Sequence, residues 1–334
     1  MKYLKVLLLF TIAFSVHSCK KDTDQKHLKL TYIDKMVEAP ANVSIIFKVN
    51  DAVNYPLPGL VESNFEIYED GKLISEFEAA RKIQDKPEKF KFNLLLMLDL
   101  SGSVLDSSLN SLKQASISFI NSVMPSEGSS DYKEILMAVK WFDGEKNIHD
   151  LVDYTFLKSN LISSINQIDQ NISSDNSTNL YGGIIQGIGN IDNRVTLFAE
   201  ADIISAGALI TFTDGSDQAG WYTSNQVTDV INKRNPSIAL YTIGLGGEID
   251  KKTLEKFGKN GFEFAENLSD LIPKFEAIAQ FVKDEAKSYY LFEYCSPKRS
   301  GTHSLKIRVT SERISGEMTQ TFSAEDFSGG CTLE

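Results

Sequence analysis

Residues 94–103 read Leu-Leu-Leu-Met-Leu-Asp-Leu-Ser-Gly-Ser, an apolar run that ends in an acid and two hydroxyl side chains. A run this apolar and this short is typical of a central strand in a sheet covered on both faces. Open α/β sheets bind their ligands at the carboxyl ends of the strands. We therefore expect Asp99, Ser101 and Ser103 in a loop that carries a ligand.

Two later segments fit the same site. Thr178 lies in Asn-Ser-Thr-Asn-Leu at 176–180, just before a helical pattern, and Asp214 ends a second apolar run, Ala-Leu-Ile-Thr-Phe-Thr-Asp, at 208–214. Between about residues 91 and 283, apolar runs alternate with helical patterns. Such alternation indicates a parallel sheet with covering helices.

This order of motifs resembles the von Willebrand factor type A domain and its metal-ion-dependent adhesion site. The motifs are an Asp-x-Ser-x-Ser, then a lone Thr, then a Thr-Asp-Gly after a later strand. The resemblance implies a doubly wound, mostly parallel, Rossmann-like α/β sheet. Family members often carry Gly just before the Thr, where this chain has Ser177.

The resemblance also implies a ligand set for Mg²⁺ (or Mn²⁺/Ca²⁺). The hydroxyls of Ser101, Ser103 and Thr178 would contact the ion directly or nearly so, while Asp99 and Asp214 would act largely through bound water. Mg²⁺ prefers six oxygen ligands, so these residue types suit it. A shell with so little direct negative charge implies that a protein partner completes it with an acidic side chain.

Each part of this pattern has a simpler interpretation. Asp and Ser are favoured at helix N-termini, so Asp99-x-Ser101-x-Ser103 alone would be an ordinary cap. Three segments in the right order favour the metal interpretation. Trp221, Tyr222 and Tyr181 are weaker candidates for the partner surface, with half-buried rings that pack a loop as the alternative. Asp217 is either an acid behind the metal ligands or a solvated charge.

The composition bounds the class of protein. The 334 residues are 42% hydrophobic and 24% charged, with a formal net charge of −11, which is ordinary for a globular protein. An acidic surface disfavours binding to nucleic acid and gives no electrostatic attraction to anionic lipid.

The N-terminus resembles the leader of a bacterial lipoprotein. Residues 1–18 combine two lysines, a short apolar stretch and a small residue ahead of Cys19, which is too short for a membrane span. We expect a signal peptide at 1–18, lipidation of Cys19 and a polar tether at 19–29. The chain would then be an outer-membrane lipoprotein of the bacterial envelope, on either the periplasmic or the surface face of that membrane. Ordinary secretion with Cys19 as a free thiol is the alternative.

If Cys19 carries lipid, two cysteines are left, Cys295 and Cys331. Two cysteines in an oxidising compartment usually pair, so we expect a disulfide, with separately buried thiols as the alternative.

The regions flanking the α/β pattern read as β-structure. We expect a β-rich segment at 30–88, the type A domain at 89–284 with a final helix at 268–283, and a second β-rich segment at 285–334. Each segment alone has too few strands to cover two faces. They are therefore predicted to pair into one small β-sandwich around the inserted domain, with two separate small domains as the alternative.

Three functions are compatible with this organisation. The first is a lipid-anchored protein that binds a partner through its metal. The second is a structural lipoprotein that scaffolds an envelope complex with little dependence on metal. The third, a metal-dependent hydrolase, is disfavoured. The residues after the leader include only His27, His149 and His303, none in a metal-binding or catalytic spacing, and no Gly-x-Ser-x-Gly motif occurs. We therefore do not expect an enzyme.

Overall fold

The structure is a computed structural model that describes residues 27–75, 80–87, 90–247 and 249–333. The predicted leader, the lipidation site Cys19 and most of the predicted tether lie outside these residues. Within the described ranges, no helix is long and apolar enough to cross a membrane.

Five strands precede the α/β unit, namely β1 (Lys29–Glu38), β2 (Asn42–Asn50), β3 (Phe65–Glu69), β4 (Lys72–Leu73) and β5 (Arg81–Asp85). The α/β unit contains β6 (Phe90–Asp99), α1 (Leu109–Val123), β7 (Ile135–Phe142), β8 (His149–Thr155), α2 (Lys158–Gln167), α3 (Leu180–Ala199), β9 (Ile204–Thr213), α4 (Ser224–Lys233), β10 (Ile238–Leu245), α5 (Lys251–Phe257), β11 (Gly261–Ala265) and α6 (Leu271–Ala286). Three strands follow, namely β12 (Tyr289–Cys295), β13 (Thr302–Ser311) and β14 (Ile314–Ser323).

The α/β unit is built on a six-stranded sheet with the strand order β11-β10-β9-β6-β7-β8. All neighbouring pairs are parallel except β7 and β8. Alternate residues of β6 enter two different cores: Leu94 and Leu96 pack on the side of α1 and α6, whereas Leu95 and Met97 pack on the side of α3. Burial of both faces explains the unbroken apolar run, and the predicted doubly wound fold is confirmed.

The remaining strands form a β-sandwich, by which we mean residues 27–87 and 289–333. Its sheets have the orders β1-β2-β12-β5 and β14-β13-β3-β4, so each contains strands from both ends of the chain. Phe47 on β2 is the register partner of Tyr290 on β12, and the rings of Phe65 and Tyr290 lie 5.5 Å apart across the shared core. The prediction of one sandwich from both segments is confirmed, and the alternative of two separate small domains is wrong.

The two chain connections between the sandwich and the α/β unit run side by side. Asp85, at the end of β5, is the register partner of Tyr290, and the Lys86 amide donates a hydrogen bond to the Tyr289 carbonyl at 3.1 Å. Beside them, Lys48 of β2 forms an ion pair with Glu285 of α6 at 2.6 Å, and both side chains are buried. We call this ion pair the joint.

The final helix differs from the prediction at both ends. Leu268–Asp270 form a 3₁₀ turn, and the α-helix runs from Leu271 to Ala286. Asn267 caps the 3₁₀ turn through its side chain, which accepts from the Ser269 amide. Because Glu285 is fully buried, the last turn of α6 belongs to the packed α/β unit.

A disulfide joins Cys295, the last residue of β12, to Cys331 near the C-terminus, with a Cα–Cα distance of 5.7 Å. It ties the segment after β14 to the sandwich, where Phe327 also packs into the core.

A cluster around Asp70 connects the β3–β4 turn to β13. The Asp70 carboxylate accepts from the Ser304 amide at 3.0 Å and is bound by Lys298 at 2.9 Å and by His303 Nδ1 at 2.8 Å. The Ser304 amide bond, followed by the bonds from Lys298 and His303, holds the pKa of Asp70 well below its ordinary value. Bonding to the Ser300 carbonyl and then to Asp70 raises the pKa of His303.

We expect His303→Gln to destabilise the protein at pH 5.5 and to have little effect at pH 8.5. Because the folded-state pKa of His303 is raised, its contribution is full below the unfolded pKa of about 6.5 and is lost as the pH rises through the folded value. The Asp70 contribution requires the ionised carboxylate and is lost in acid. Melting temperatures at the two pH values test this, with the exposed His27→Gln as control. Equal destabilisation at both values would contradict it.

Candidate metal site

The polar residues singled out in the sequence lie in three loops at one edge of the central sheet. Asp99 is the last residue of β6, and Ser101 and Ser103 follow it, ahead of a π-helical turn that leads into α1. Asp214 follows β9, the parallel neighbour of β6. Thr178 lies in the loop just before α3. Parallel neighbours end at the same edge, which brings the first two loops together.

Hydrogen bonds join the three loops. Ser103 Oγ donates to Asp214 Oδ1 at 2.8 Å. The Gly102 amide donates to the Asn176 carbonyl at 3.1 Å, and the Gln218 amide donates to the Thr178 carbonyl at 2.8 Å. The loop that carries Thr178 is therefore held against both of the others.

Gly102 permits this close approach. A Cβ on Gly102 would lie 2.8 Å from Asn176 Cβ, which is closer than real Cβ atoms approach, so Gly102 allows the loops to touch. A Cβ on Gly215 would lie 3.4 Å from Thr178 Oγ1. The Thr178 hydroxyl thus faces the residue immediately after Asp214.

Asp99 is a fully buried acid at this edge of the sheet. Its Oδ1 accepts from the Ser101 amide at 2.9 Å and its Oδ2 accepts from Thr213 Oγ1 at 2.5 Å. Burial raises the pKa of Asp99 to about 7 against these hydrogen bonds, and the charge of Asp214 adds to the increase. Positive charge beside a carboxylate lowers its pKa, so a cation at this edge would favour the ionised form.

The residues fit a divalent cation. Ser101 Oγ is buried and makes no hydrogen bond of standard geometry among the described residues, although it lies near enough to Asp99 to lower the pKa of that carboxyl. A buried hydroxyl without a well-formed hydrogen bond costs about 1–3 kcal/mol, and a bound cation would remove that cost. Hydroxyl and carboxylate oxygens are the donors that Mg²⁺, Mn²⁺ and Ca²⁺ prefer.

The weaker candidates have identifiable structural roles. The Asp217 carboxylate accepts from the Tyr181 amide at 2.9 Å and thereby fixes the start of α3, while burial raises its pKa. The Tyr181 ring packs edge-on against Phe257. Trp221 is 53% exposed, and its indole donates to the Gly144 carbonyl at 3.0 Å. Among Trp221, Tyr181 and Asp217, it is Trp221 that has a largely exposed apolar ring.

Sequence reasoning missed two residues at this edge. Thr213, the first residue of the Thr-Asp-Gly motif, was not predicted as a site residue, but its hydroxyl donates to Asp99 Oδ2. Asp143 follows the end of β7, and its carbonyl accepts from the Asn179 amide at 2.7 Å, next to Thr178. The signal for Asp143 was an acid directly after an apolar run, as at Asp99.

Comparison with known proteins identifies the family of the α/β unit. A sequence model of the von Willebrand factor type A domain matches residues 93–283. No curated protein matches the chain significantly.

Solved structures with similar architecture include three of different origin. The conserved hypothetical protein BatB from Bacteroides thetaiotaomicron has 16% identity and a TM-score of 0.45, covering 59% of this chain and 100% of its own. A von Willebrand factor type A protein from Catenulispora acidiphila has 9% identity and a TM-score of 0.46, covering 90% and 74%. Proximal thread matrix protein 1 from the mussel byssus, with a zinc-occupied metal-ion-dependent adhesion site, has 14% identity and a TM-score of 0.45, covering 58% and 48%.

Proposed function

This chain belongs to the von Willebrand factor type A domain family, and from that premise we propose that it binds a protein partner through a Mg²⁺-dependent adhesion site. Domains of this family are typically interaction modules. The observation that carries the proposal is the buried hydroxyl of Ser101, which makes no hydrogen bond of standard geometry among the described residues and lies among three loops that hydrogen bonds hold together.

The side chains divide into two groups in this proposal. Ser101, Ser103 and Thr178 would hold the ion through their hydroxyl oxygens. Since Ser103 donates its proton to Asp214, its oxygen lone pairs are left free for a cation. Asp99, whose carboxylate is occupied by Thr213 and the Ser101 amide, would supply charge from behind the loop.

When bound, Mg²⁺ (or Mn²⁺/Ca²⁺) supplies an electrophilic position for one oxygen of a partner carboxylate. The five residues orient the ion and keep most of the negative charge out of direct contact with it. Trp221 would give the partner an apolar contact beside the carboxylate. Nothing in this scheme makes or breaks a covalent bond, so we propose a binding protein and no enzymatic activity.

We further propose that the protein is anchored to the bacterial envelope, as an outer-membrane lipoprotein, through lipid on Cys19. The support is the leader sequence at 1–18. In the structure β1 begins at Lys29, so the polar tether would lead directly into the sandwich.

Recovery of a partner from an envelope extract tests the proposal. With the anchored protein as bait, we expect an acidic partner to be recovered in Mg²⁺ and lost when a chelator is added. Ser101→Ala should lower the Mg²⁺ affinity, measured by calorimetry, at least about 100-fold, because even residues behind the ligands typically contribute 10- to 100-fold.

Ser111→Ala on α1 is the matched control and should retain both properties. If Ser101→Ala leaves Mg²⁺ affinity unchanged, the residue assignment is wrong. If partner recovery is the same in Mg²⁺, in chelator and with Ser101→Ala, the protein is a scaffold with little dependence on metal, which is the alternative function.

A further inference from the structure

The β7–β8 hairpin brings together three metal-ligating side chains outside the adhesion site. Asp143, Glu145 and His149 each present one ligand atom, and these atoms all lie within 4.8 Å of one another. We call these three residues the hairpin triad. None of them belongs to the predicted ligand set. The spacing of the histidines in the sequence did not indicate this arrangement.

His149 Nε2 is buried and has no hydrogen-bond partner among the described residues. It lies 3.7 Å from Asp143 Oδ1 and 3.5 Å from Glu145 Oε2. Both distances exceed those of ordinary hydrogen bonds, which are about 2.7–3.2 Å. A nitrogen that faces two carboxylate oxygens without bonding to either leaves space between them.

That space matches a small dication. Zinc in proteins has bonds of about 2.0–2.2 Å to nitrogen and oxygen, and a tetrahedron of such bonds has ligand-to-ligand edges of about 3.3–3.6 Å. The two measured separations are close to this edge length. Two carboxylates also balance the charge of a dication, while imidazole selects zinc-type metals over Mg²⁺ and Ca²⁺, which prefer oxygen.

Two of the three ligands, His149 and Asp143, are held in position before any metal binds. His149 is the cross-strand partner of Trp141, and the two rings stack at 4.1 Å with an interplanar angle of 17°. Asp143 is 1% exposed, and its oxygens accept from the Glu145 amide at 2.9 Å and from Ser173 Oγ at 2.5 Å. Such bonds orient a carboxylate ligand and leave each oxygen with a further lone pair.

We propose that the hairpin triad binds a zinc-type transition-metal dication through ligands that the adhesion site does not share. The Asp143 carbonyl accepts from the Asn179 amide, so metal at the triad would also fix the loop that carries Thr178. Solvent or another group would complete the coordination, since the triad supplies three ligand atoms.

Zinc titration of matched variants tests the proposal. The background is Ser101→Ala, which removes a ligand from the adhesion site so that zinc bound there does not confuse the result. In this background, with the full chain and a competing chromophoric chelator, we expect one zinc ion per chain. His149→Gln and Glu145→Gln should each lower the zinc affinity at least about 100-fold, whereas Asp153→Asn, an exposed acid on β8, should not.

Cobalt provides a second measurement. Co²⁺ in the Ser101→Ala background should give the visible absorption of a four-coordinate site with a nitrogen ligand, and His149→Gln should abolish it. Because Glu145 is half exposed, Glu145→Gln should fold normally, and its Mg²⁺ affinity in the otherwise native chain should be unchanged.

Zinc affinity unaffected by both His149→Gln and Glu145→Gln would overturn the proposal. The triad would then be a polar cluster that holds no metal. Loss of Mg²⁺ binding with retention of the triad zinc would instead leave this proposal standing, because the two sites share no ligand.

Discussion

Asp99→Asn should stabilise the metal-free protein by about 2–4 kcal/mol at pH 8 and abolish Mg²⁺ binding. Burial raises the pKa of Asp99 to about 7, so the ionised carboxylate is costly to bury when no cation accompanies it. Asparagine has nearly the same shape and can still bond to the Ser101 amide and Thr213. The higher stability of Asp99→Asn would therefore show that the ionised Asp99 carboxylate, which the cation needs, destabilises the folded protein when no cation is bound.

The sign of the pH dependence follows from the raised pKa. Between about pH 4 and 7 the folded state holds a proton on Asp99 that the unfolded state releases. The stability of the metal-free native chain should therefore fall across this range. Asp99→Asn lacks this contribution, so the difference between the two proteins should be small at pH 4 and largest above pH 7.

Urea unfolding in chelator at several pH values measures this effect, and calorimetry measures Mg²⁺ binding. Asp106→Asn, an exposed acid in the turn after the Ser103 loop, is the control and should change neither property. If Asp99→Asn destabilises the chelated protein at pH 8, the carboxylate stabilises the loop without a cation and its proposed role is wrong.

Lys48→Met should destabilise the protein by about 3–5 kcal/mol, because it leaves the fully buried Glu285 without its cation. Glu285 Oε2 already lacks a hydrogen-bond partner within the described part of the chain, so Lys48 is the main compensation for this charge. Chemical unfolding at neutral pH gives the free-energy change.

A double variant shows how much of the stability lost in Lys48→Met comes from loss of the ion pair and how much from burial of an unpaired Glu285. Lys48→Met with Glu285→Leu should recover most of the lost stability, since replacing both partners of a buried pair by apolar groups is often close to neutral. Lys274→Met, which breaks the more exposed pair with Glu263 at 2.8 Å, should cost at most about 1 kcal/mol. A Lys48→Met cost as small as that of Lys274→Met would show that the joint contributes little.

The central strands could be predicted closely from the sequence, and the sandwich edge could not. The apolar run Ile238–Leu245 can be read from the sequence as a strand, and β10 has these same bounds because all its residues are buried and all but Thr242 are apolar. In contrast, β14 was not predicted, because its less exposed positions include Gly316 and Gln320, so burial alternates along the strand without an alternation of apolar residues. The sequence pattern indicates a helix over 180–191, but Val195 continues the buried face and the helix reaches Ala199.

The adhesion site and the hairpin triad also differ in how far local sequence pattern predicts them. Asp99 and Asp214 each follow a buried run, so their position at one edge of a parallel sheet could be inferred from local pattern. Glu145 and His149 are four residues apart in a hairpin, where that spacing has no fixed meaning. Their convergence with Asp143 depends on the β7–β8 register, which includes a bulge that the sequence does not reveal.

The side-by-side connections of Asp85 and Tyr290 bear on how the protein folds after synthesis. Pairing β5 with β12 in an unfolded chain would close a loop of roughly 200 residues, at an entropic cost of about 5 kcal/mol. An α/β unit that has already folded brings these ends together and removes most of that cost. We therefore expect the inserted unit to fold first and to act as the nucleus on which the two halves of the sandwich assemble.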